Sequence, residues 1–199
     1  MKVVVVGATG TIGAAVASAL AARHEVVAVS RRGAHAADLE DPASFRRLFA
    51  AVRGVDAVVC CAGAASFKPL AQLTDADFEV GLRGKLMGQV NLARVATEHL
   101  ADGGSITLTG GVLAHEPIPG GTAISMVNAA LEGFVRGAAV ELPRELRINL
   151  LSPPWITETL AALKMQAPGA ISAAACARAY VAAVEGLDQG KTLDARRFA

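Results

Sequence analysis

The sequence carries almost no net charge and few cysteines. Lysine and arginine together number 19, and aspartate and glutamate 18, so the formal net charge is +1 over 199 residues. Such a balance gives no global attraction to nucleic acid or to an anionic membrane, and we expect neither as a partner. The three cysteines, two of them adjacent at Cys60 and Cys61, fit neither a disulfide framework nor a zinc ligand set. We therefore expect no bound metal and a reducing, cytoplasmic compartment.

Charged residues are also scarce, at 19%, whereas hydrophobic residues make up 53%, and this composition excludes a disordered chain. The length suits one domain, which we expect residues 1–199 to form. Mean hydropathy is +0.42, and residues 3–22 carry no charge. This stretch superficially resembles a secretory signal peptide, but Gly7, Gly10 and Gly13 interrupt its apolar face, which makes that the weaker interpretation. It is also too short and too broken to span a bilayer.

Hydrophobic runs of strand length alternate with longer, helix-length segments along the chain. Val3-Val4-Val5-Val6 is a β-branched run without alternation, as expected of a strand buried on both faces. Asp41-Pro42 is typical of a helix start, with aspartate at the N-cap and proline at the first helical position. The alternation predicts an α/β fold, a doubly wound parallel sheet with helices on both faces. Strands are predicted at residues 3–6, 26–29, 57–60, 105–108, 147–151 and about 192–193, and helices at 11–23, from 42 onward, 74–100, 122–142 and 172–185.

A glycine-rich loop joins the first predicted strand to the first predicted helix. Gly7, Gly10 and Gly13 follow the spacing G-x-x-G-x-x-G. Glycine at the strand exit permits a tight turn, and the missing Cβ lets a pyrophosphate approach the backbone N–H groups of the first helical turn. A strand before and a helix after favour a dinucleotide site of the Rossmann type over glycines that serve the turn alone.

The end of the second predicted strand reads Val29-Ser30-Arg31-Arg32. No carboxylate is present there to receive the free ribose hydroxyls of NAD(H), and two guanidiniums are suited to bind a 2′-phosphate through bidentate contacts. The segment therefore favours NADP(H) as the cofactor. The alternative is a solvated basic turn without a ligand.

Several further segments match one known pattern. Asp38-Leu39 is similar to an adenine-contacting pair, Cys60-Cys61-Ala62-Gly63 stands where that pattern has Asn-Asn-Ala-Gly, and Lys85-Leu86-Met87-Gly88 stands where it has Asn-Leu-x-Gly. Residues 128–134, 147–149 and 152–156 match its later motifs. Over essentially its full length the chain thus resembles the short-chain dehydrogenase/reductase family.

This resemblance implies a Rossmann domain with a sheet of about seven strands. It also implies a homodimer or homotetramer that pairs through the helices predicted at 74–100 and 122–142, where small residues permit close contact. The segment over residues 153–173, which covers the substrate in the family, is short here, so we expect an open pocket or a small substrate. The loop and the resemblance together assign cofactor binding to Gly7, Thr9, Gly10, Ile12, Ser30, Arg31, Arg32, Asp38, Leu39, Ala62, Gly63, Pro153 and Ile156.

The family's catalytic positions match less well. Its members reduce carbonyls with a tyrosine acid, a lysine, a serine and an asparagine. The alignment places Ile124 at the tyrosine position, Asn128 at the lysine position and Lys85 at the asparagine position. The serine position falls near Gly111, and Tyr180, the single tyrosine, lies on a late helix where position assigns it no role.

Lysine and asparagine are therefore exchanged between two helices. If Lys85 and Asn128 converge, a cation and an amide still line the pocket, and Lys85 contacts the nicotinamide ribose or lowers the pKa of a bound water. The alternative is that Lys85 points to solvent. His115 and Glu116 are candidate replacement acids, and Thr109 is a candidate to hydrogen-bond the carbonyl; for each, an ordinary structural position is the alternative.

Two functions follow from these observations. The favoured one is an NADP(H)-dependent oxidoreductase that transfers hydride between the cofactor and a small carbonyl or alcohol. The alternative is a non-catalytic NADP(H)-binding sensor or regulatory module. The intact cofactor half supports both, whereas the departures at the tyrosine, lysine and serine positions favour the sensor.

Overall fold

The computed structural model describes residues 1–199 as a six-stranded parallel sheet with helices on both faces. This confirms the predicted doubly wound α/β fold. The sheet has the order β2-β1-β3-β4-β5-β6. Its strands are β1 (Lys2–Val6), β2 (Glu25–Val29), β3 (Val55–Cys60), β4 (Leu100–Thr109), β5 (Arg147–Ser152) and β6 (Thr192–Asp194). The helices are α1 (Thr11–Ala21), α2 (Pro42–Ala51), α3 (Asp75–Gly81), α4 (Gly88–Thr97), α5 (Thr122–Ala139), α6 (Thr157–Leu163) and α7 (Ala173–Glu185).

The valine run of β1 divides between two cores. Val4 and Val6 belong to the cluster that includes Phe45 of α2, together with residues of α4 and α5. Val3 and Val5 belong to the cluster on the other face, which is built by α1 and α7 and includes Tyr180. Since successive side chains of a strand point to opposite faces, an unbroken run of valines serves a sheet that is covered on both sides. Each fully buried valine contributes about 1.5–3 kcal/mol relative to exposure.

The strand order reverses between β1 and β3, which are neighbours in the sheet. From β1 the chain passes outward to β2, and from β3 it passes the other way to β4. The connections that leave the carboxyl ends of β1 and β3 therefore separate and leave a crevice between them. In open α/β sheets this crevice is the place where ligands bind.

The sheet has six strands, so the expectation of about seven is wrong. The missing strand would lie between β2 and α2. In this structure residues 30–41 connect these two elements, and they contain no helix and only one isolated bridge, between Ser30 and Ala36. A crossover to a further parallel strand takes a dozen or more residues before that strand can begin. The short connection has no room for both.

The predicted helix over 74–100 is also divided in the structure. It begins as expected, with a capping box between Thr74 and Asp77. A π-helical turn then occupies Leu82–Met87 between α3 and α4, and β4 begins at Leu100 instead of at residue 105. Gly103 adopts a φ of +73° inside β4. The pairing with β3 is irregular here, because Leu100 lies opposite Val55 whereas Ser105 already lies opposite Ala57. Residues 102–104, which separate the predicted helix from the predicted strand, are thus an irregular part of β4.

No helix of this structure has both the length and the apolar character that a membrane span requires.

Candidate functional site

The glycine loop packs tightly against the segment that follows β3. Gly7 has a φ of +84°, and a Cβ placed on it would lie 2.9 Å from the backbone nitrogen of Ala62. A Cβ on Gly13 would lie 2.0 Å from the carbonyl oxygen of Gly7. Gly10 caps α1, and its amide donates to that same carbonyl oxygen at 3.0 Å. Side chains at Gly7 and Gly13 are therefore excluded by backbone, and the N-terminus of α1 lies open to an anion.

A cavity of about 360 Å³ extends from this loop along the crevice between β1 and β3. A Rossmann site for a dinucleotide requires this arrangement of glycine turn, helix N-terminus and crevice, so the residues present fit the expected cofactor. Most of the residues predicted to bind it do line this cavity: Gly7, Thr9, Gly10, Ser30, Arg31, Asp38, Leu39, Ala62 and Gly63.

Four of the residues predicted to bind cofactor do not line this cavity. Ile12 and Pro153 line a second, adjoining cavity, whereas Arg32 and Ile156 line neither. Arg32 is exposed, does not line the cavity, and its carbonyl oxygen accepts a hydrogen bond from the Ser30 hydroxyl. Ile156 is only 4% exposed and packs in the core with α1 and α7. Ile156 follows the chain's exit from β5, and its apolar side chain packs into the core, whereas Pro153 lines the second cavity.

A second cavity of about 220 Å³, the inner cavity, adjoins the first, and both are lined by Cys61, Ala62 and Gly63. Its walls are mostly apolar and come from the glycine loop, the 61–67 segment, the 110–113 segment, α5 and the segment after β5. The side chains that form these walls are Ile12, Phe67, Val112, Leu113, Ile124, Pro153, Pro154 and Trp155. The rings of Phe67 and Trp155 lie 5.9 Å apart between centroids, tilted by 44°.

Lys85 and Asn128 meet at the inner cavity. The Lys85 Nζ donates to Asn128 Oδ1 at 2.7 Å and to the Gly110 carbonyl oxygen at 2.9 Å. Lys85 is 7% exposed and Asn128 2%. The Asn128 Nδ2 donates in turn to the Gly111 carbonyl oxygen at 3.3 Å, which orients the amide oxygen toward the lysine. The alternative in which Lys85 points to solvent is therefore wrong.

The backbone makes room for this pair at two glycines. A Cβ on Gly63, whose φ is +150°, would lie 2.7 Å from Lys85 Cγ. A Cβ on Gly111, whose φ is +154°, would lie 2.9 Å from Asn128 Nδ2. Lys85 itself lies in the π-helical turn, a rare conformation that is frequent at functional sites.

Burial lowers the pKa of Lys85 from 10.5 to about 8, because the low-polarity surroundings disfavour the charged ammonium. The charge interaction with Cys60 acts in the opposite direction and raises the pKa of Lys85, and burial raises the pKa of the Cys60 thiol to about 12. The lysine thus exchanges its proton close to neutral pH, whereas an ordinary lysine remains charged there.

The hydroxyl of Thr109 is committed to the protein. It donates to the Cys60 carbonyl oxygen at 2.5 Å and lies 2.7 Å from the Tyr180 hydroxyl. Tyr180 is fully buried, and this burial raises the pKa of its hydroxyl. Thr109 lines the inner cavity, whereas Tyr180 does not.

His115 is not among the residues that line the inner cavity. Its Nε2 lies 2.8 Å and 2.9 Å from the two carboxylate oxygens of Glu132, which is 6% exposed. Glu116 pairs with Arg196 near the carboxyl terminus, with its two oxygens 2.6 Å and 3.2 Å from the guanidinium. The structure thus engages both candidate acids with charged partners outside the cavity, His115 with the Glu132 carboxylate and Glu116 with the Arg196 guanidinium.

The sequence interpretation missed Gln89. This side chain is fully buried, and its amide accepts from the Thr109 N–H at 2.8 Å and donates to the Thr109 carbonyl oxygen at 2.9 Å. Gln89 thereby fixes the end of β4, where the chain turns into the inner cavity. A glutamine on the predicted buried face of a helix is the signal that would have identified it.

Residues 2–187 match the sequence profile of the family described as enoyl-(acyl carrier protein) reductase. Among solved structures, the protein lin1944 from Listeria innocua superposes with a TM-score of 0.93 at 36% identity, over 98% of both chains. A short chain dehydrogenase from Burkholderia cenocepacia in complex with NADP superposes with a TM-score of 0.82 at 25% identity, over 96% of this chain and 94% of that one.

Curated relatives match over shorter stretches. A hydroxynaphthalene reductase from Aspergillus fumigatus is 31% identical over 103 residues, which are 51% of this chain and 38% of that protein. Elsinochrome reductase 1 from Elsinoe fawcettii is 30% identical over 146 residues, 68% of this chain and 55% of that protein. The matched part thus covers about two fifths to just over half of these two relatives.

Proposed function

The chain belongs to the short-chain dehydrogenase/reductase family, and on that premise we propose that it transfers hydride between NADP(H) and a small carbonyl or alcohol. The observation that carries the proposal is the joining of the two cavities. A dinucleotide cleft of about 360 Å³ shares Cys61, Ala62 and Gly63 with a mostly apolar cavity that holds Lys85 and Asn128. A ligand that fills both would bring its reactive end beside the one polar group of the inner cavity that titrates near neutrality. We propose that residues 1–199 act as one such domain.

In this proposal the cofactor is held mainly by backbone. The N-terminus of α1 and the loop N–H groups bind the pyrophosphate, since no side chain stands between them and the cleft. Arg31 lines the cleft and is the residue placed to bind a 2′-phosphate, whereas Arg32 points outside it. The Burkholderia cenocepacia structure named above holds NADP, which supports the preference for NADP(H) over NAD(H).

The inner cavity would hold the carbonyl substrate. When bound, the nicotinamide supplies or accepts a hydride. Apolar side chains of Phe67, Leu113, Ile124 and Trp155 line this cavity, which favours a neutral, flat or branched molecule. The reductases among the curated relatives include one named for a hydroxynaphthalene, which supports a cyclic carbonyl compound.

Self-association is part of the same proposal. A groove of about 850 Å³ lies across α2, α4 and α5 and includes Arg94, Phe134 and Leu142. Gly133 and Gly137 face it with no atom within 4 Å of a Cβ built on either. A second copy of the chain that packs its own α4 and α5 there would form a homodimer or homotetramer. Light scattering should then show a mass of two or four chains, and a monomer at micromolar concentration would contradict it.

A non-catalytic NADP(H) sensor is the second candidate. The observation in its favour is that no free hydroxyl acid faces the inner cavity, since Thr109 donates to Cys60 and Tyr180 is buried behind it. In a sensor, cofactor binding would persist without turnover.

Calorimetric titration and a single-turnover assay distinguish the two. We expect NADPH to bind at least tenfold more tightly than NADH, and bound NADPH to be oxidised on addition of benzaldehyde or cyclohexanone. Equal affinity for both cofactors would contradict the 2′-phosphate assignment. Tight NADPH binding with no oxidation would contradict the oxidoreductase and support the sensor.

A further inference from the structure

We propose that Lys85 is the proton donor of this site, in the place of a tyrosine, and that Asn128 and the Gly110 carbonyl hold its ammonium toward the substrate oxygen. The proposal rests on the oxidoreductase function stated above. It assigns a catalytic role to a lysine that lies in a π-helical turn and projects from there to the inner cavity.

The side chains around the inner cavity leave few other donors. Besides Lys85, the ionisable group that lines it is the Cys61 thiol, whose pKa burial raises well above its ordinary value. The Thr109 hydroxyl already donates to the Cys60 carbonyl oxygen. His115 lies outside the lining and binds the Glu132 carboxylate. Lys85 is thus the group at the cavity with a proton to give near neutral pH.

The hydrogen bonds of Lys85 leave one N–H available. An ammonium group has three donors, and two are held by Gly110 and Asn128 at 2.9 Å and 2.7 Å. Because both acceptors are themselves fixed, by the end of β4 and by the Gly111 carbonyl, the third N–H has a defined direction. Lys85 also lines the cavity, so this donor is the one a bound carbonyl oxygen can meet.

Two glycines indicate that the lysine position is built into the fold. Gly63 lies where a Cβ would strike the Lys85 stem, and Gly111 lies where a Cβ would strike the Asn128 amide. Both have φ values in the region that disfavours other residues. A lysine without a role at this cavity would not require residues 63 and 111, on the two sides of its polar contact, to lack a Cβ.

The step balances as a reduction. As a carbon–hydrogen bond forms at the carbonyl carbon through the hydride, the π electron pair of the carbonyl moves onto oxygen. The oxygen takes the proton from Lys85 Nζ, the N–H bond breaks, and its electron pair stays on nitrogen as a neutral amine. Water then returns a proton to the amine. In the oxidative direction the neutral amine accepts the alcohol proton, as reversibility requires.

The surroundings of Lys85 make its titration simple to interpret. From β3 the Cys60 thiol faces it, and its pKa of about 12 keeps it neutral through the range in which the lysine titrates. The end of β4 contributes a carbonyl and α5 contributes an amide, neither of which titrates. The lowered pKa of about 8 places a proton on Lys85 at neutral pH and lets it leave readily.

Three variants separate proton donation from charge and from shape. Lys85→Met keeps the length without the amine, Lys85→Arg keeps the charge without a proton it can release, and Lys85→Ala leaves space for a small amine. Lys164→Met, at an exposed lysine after α6, is the matched control. Single-turnover oxidation of bound NADPH is followed with benzaldehyde and cyclohexanone as the probes.

We expect Lys85→Met and Lys85→Arg to lower the reductive rate about 10²–10⁴-fold, with NADPH affinity within about threefold of the wild type. In Lys85→Ala, added methylammonium or ethylammonium should restore part of the rate, and a structural role would not respond to an added acid. The wild-type rate should fall as pH rises through about 8, following the pKa of Lys85. That fall should be absent from the Met variant.

A readout without turnover comes from the free amine. Five lysines are present, and the ¹³Cε resonance of one of them should titrate near pH 8. This resonance should vanish in Lys85→Met. Turnover in the Met variant equal to the wild type, or no lysine with a lowered pKa, would overturn the lysine's role while leaving the oxidoreductase standing. NADPH binding without oxidation in the wild type would overturn the proposed function itself.

Discussion

The two cavities at the carboxyl edge of the sheet are made from different parts of the chain. The end of the cofactor cleft at the glycine loop is formed by backbone, from the Gly7 turn and the start of α1. The inner cavity depends on side chains, with the Lys85–Asn128 pair at its polar end and Gln89 holding the end of β4. Where backbone N–H groups make the contacts, substitution of nearby side chains leaves the contacts in place. Where side chains make the contacts, as Lys85 and Asn128 do, substitution changes the chemistry of the site. This difference explains how the cleft keeps the family pattern while the inner cavity departs from it.

We expect the largest effect, a loss of stability, from substitutions in the glycine loop of the cofactor cleft. In Gly13→Ala the new Cβ would lie 2.0 Å from the Gly7 carbonyl oxygen, and backbone atoms must move to admit it. In Gly10→Ala the nearest atom is at 3.4 Å, an ordinary contact. We expect Gly13→Ala to destabilise the fold by more than about 3 kcal/mol, and Gly10→Ala by less than about 1 kcal/mol. Thermal unfolding measures both, and equal losses would contradict the steric account of the loop.

The second effect concerns the buried amine. The folded pKa of Lys85, about 8, lies below its ordinary 10.5. Between these values the unfolded chain still holds a proton that the folded chain has released, so this group adds stability as pH rises. The penalty for burying the charge is present in full below about pH 8, and its removal amounts to about 3 kcal/mol.

Denaturant unfolding of wild type and Lys85→Met at about pH 7 and about pH 10 checks this sign. Relative to the variant, the wild type should gain stability with rising pH. The raised pKa of Tyr180 has no contribution from Lys85 and is shared by both proteins. Lys85 lowers the pKa of Cys60, which is about 12 in the wild type, so its removal raises that pKa further and the thiol stays neutral at the higher pH in both proteins. The effects of both groups therefore cancel in the difference. A relative loss of stability would contradict the burial of a charged lysine.

The third effect separates a structural hydroxyl from a catalytic one. Tyr180→Phe removes the partner of the Thr109 hydroxyl inside the core while the ring remains. We expect a loss of about 1–2 kcal/mol in the free energy of unfolding, and single-turnover NADPH oxidation within about twofold of the wild type. A loss of turnover far greater than the loss of stability would make Tyr180 part of the chemistry and would remove the contrast with Lys85.

The smallest effect concerns the two arginines at the cleft. Arg31 lines the cavity and Arg32 does not, so Arg31→Ala should weaken NADPH binding about tenfold and Arg32→Ala less than about threefold. NADH affinity should be nearly unchanged in both, since NADH has no 2′-phosphate. Calorimetry gives all four values, and a greater effect from Arg32 would contradict the placement of the phosphate.

Local signals were enough to predict the fold class and most of the cleft. The Val3–Val6 run, the glycine loop and the N-cap at Asp41 are each contained in a few neighbouring residues, and the structure has each where the sequence places it. A missing strand was harder to foresee, because the family pattern supplied the number of strands and the short 30–41 connection overrode it.

The inner cavity depends on contacts between distant segments. Lys85 and Asn128 are 43 positions apart in sequence, and Thr109 and Tyr180 are 71 apart. Their convergence follows from sheet order and from a π-helical turn, neither of which has a short sequence signal. His115 illustrates the reverse case: its residue type suggested an acid, and only the fold shows that Glu132 already binds it.

The most direct test of the central claim is the transfer of deuterium from NADPH labelled at nicotinamide C4. Stereospecifically deuterated cofactor is bound to the wild-type protein and mixed with benzaldehyde and cyclohexanone, and the alcohol products are analysed by mass spectrometry. If the joined cavities serve hydride transfer, one of the two C4-labelled forms should deliver deuterium to the carbonyl carbon, and its transfer should be slowed by the isotope. Alcohol without deuterium from either form, or bound cofactor that remains unoxidised, would contradict the account.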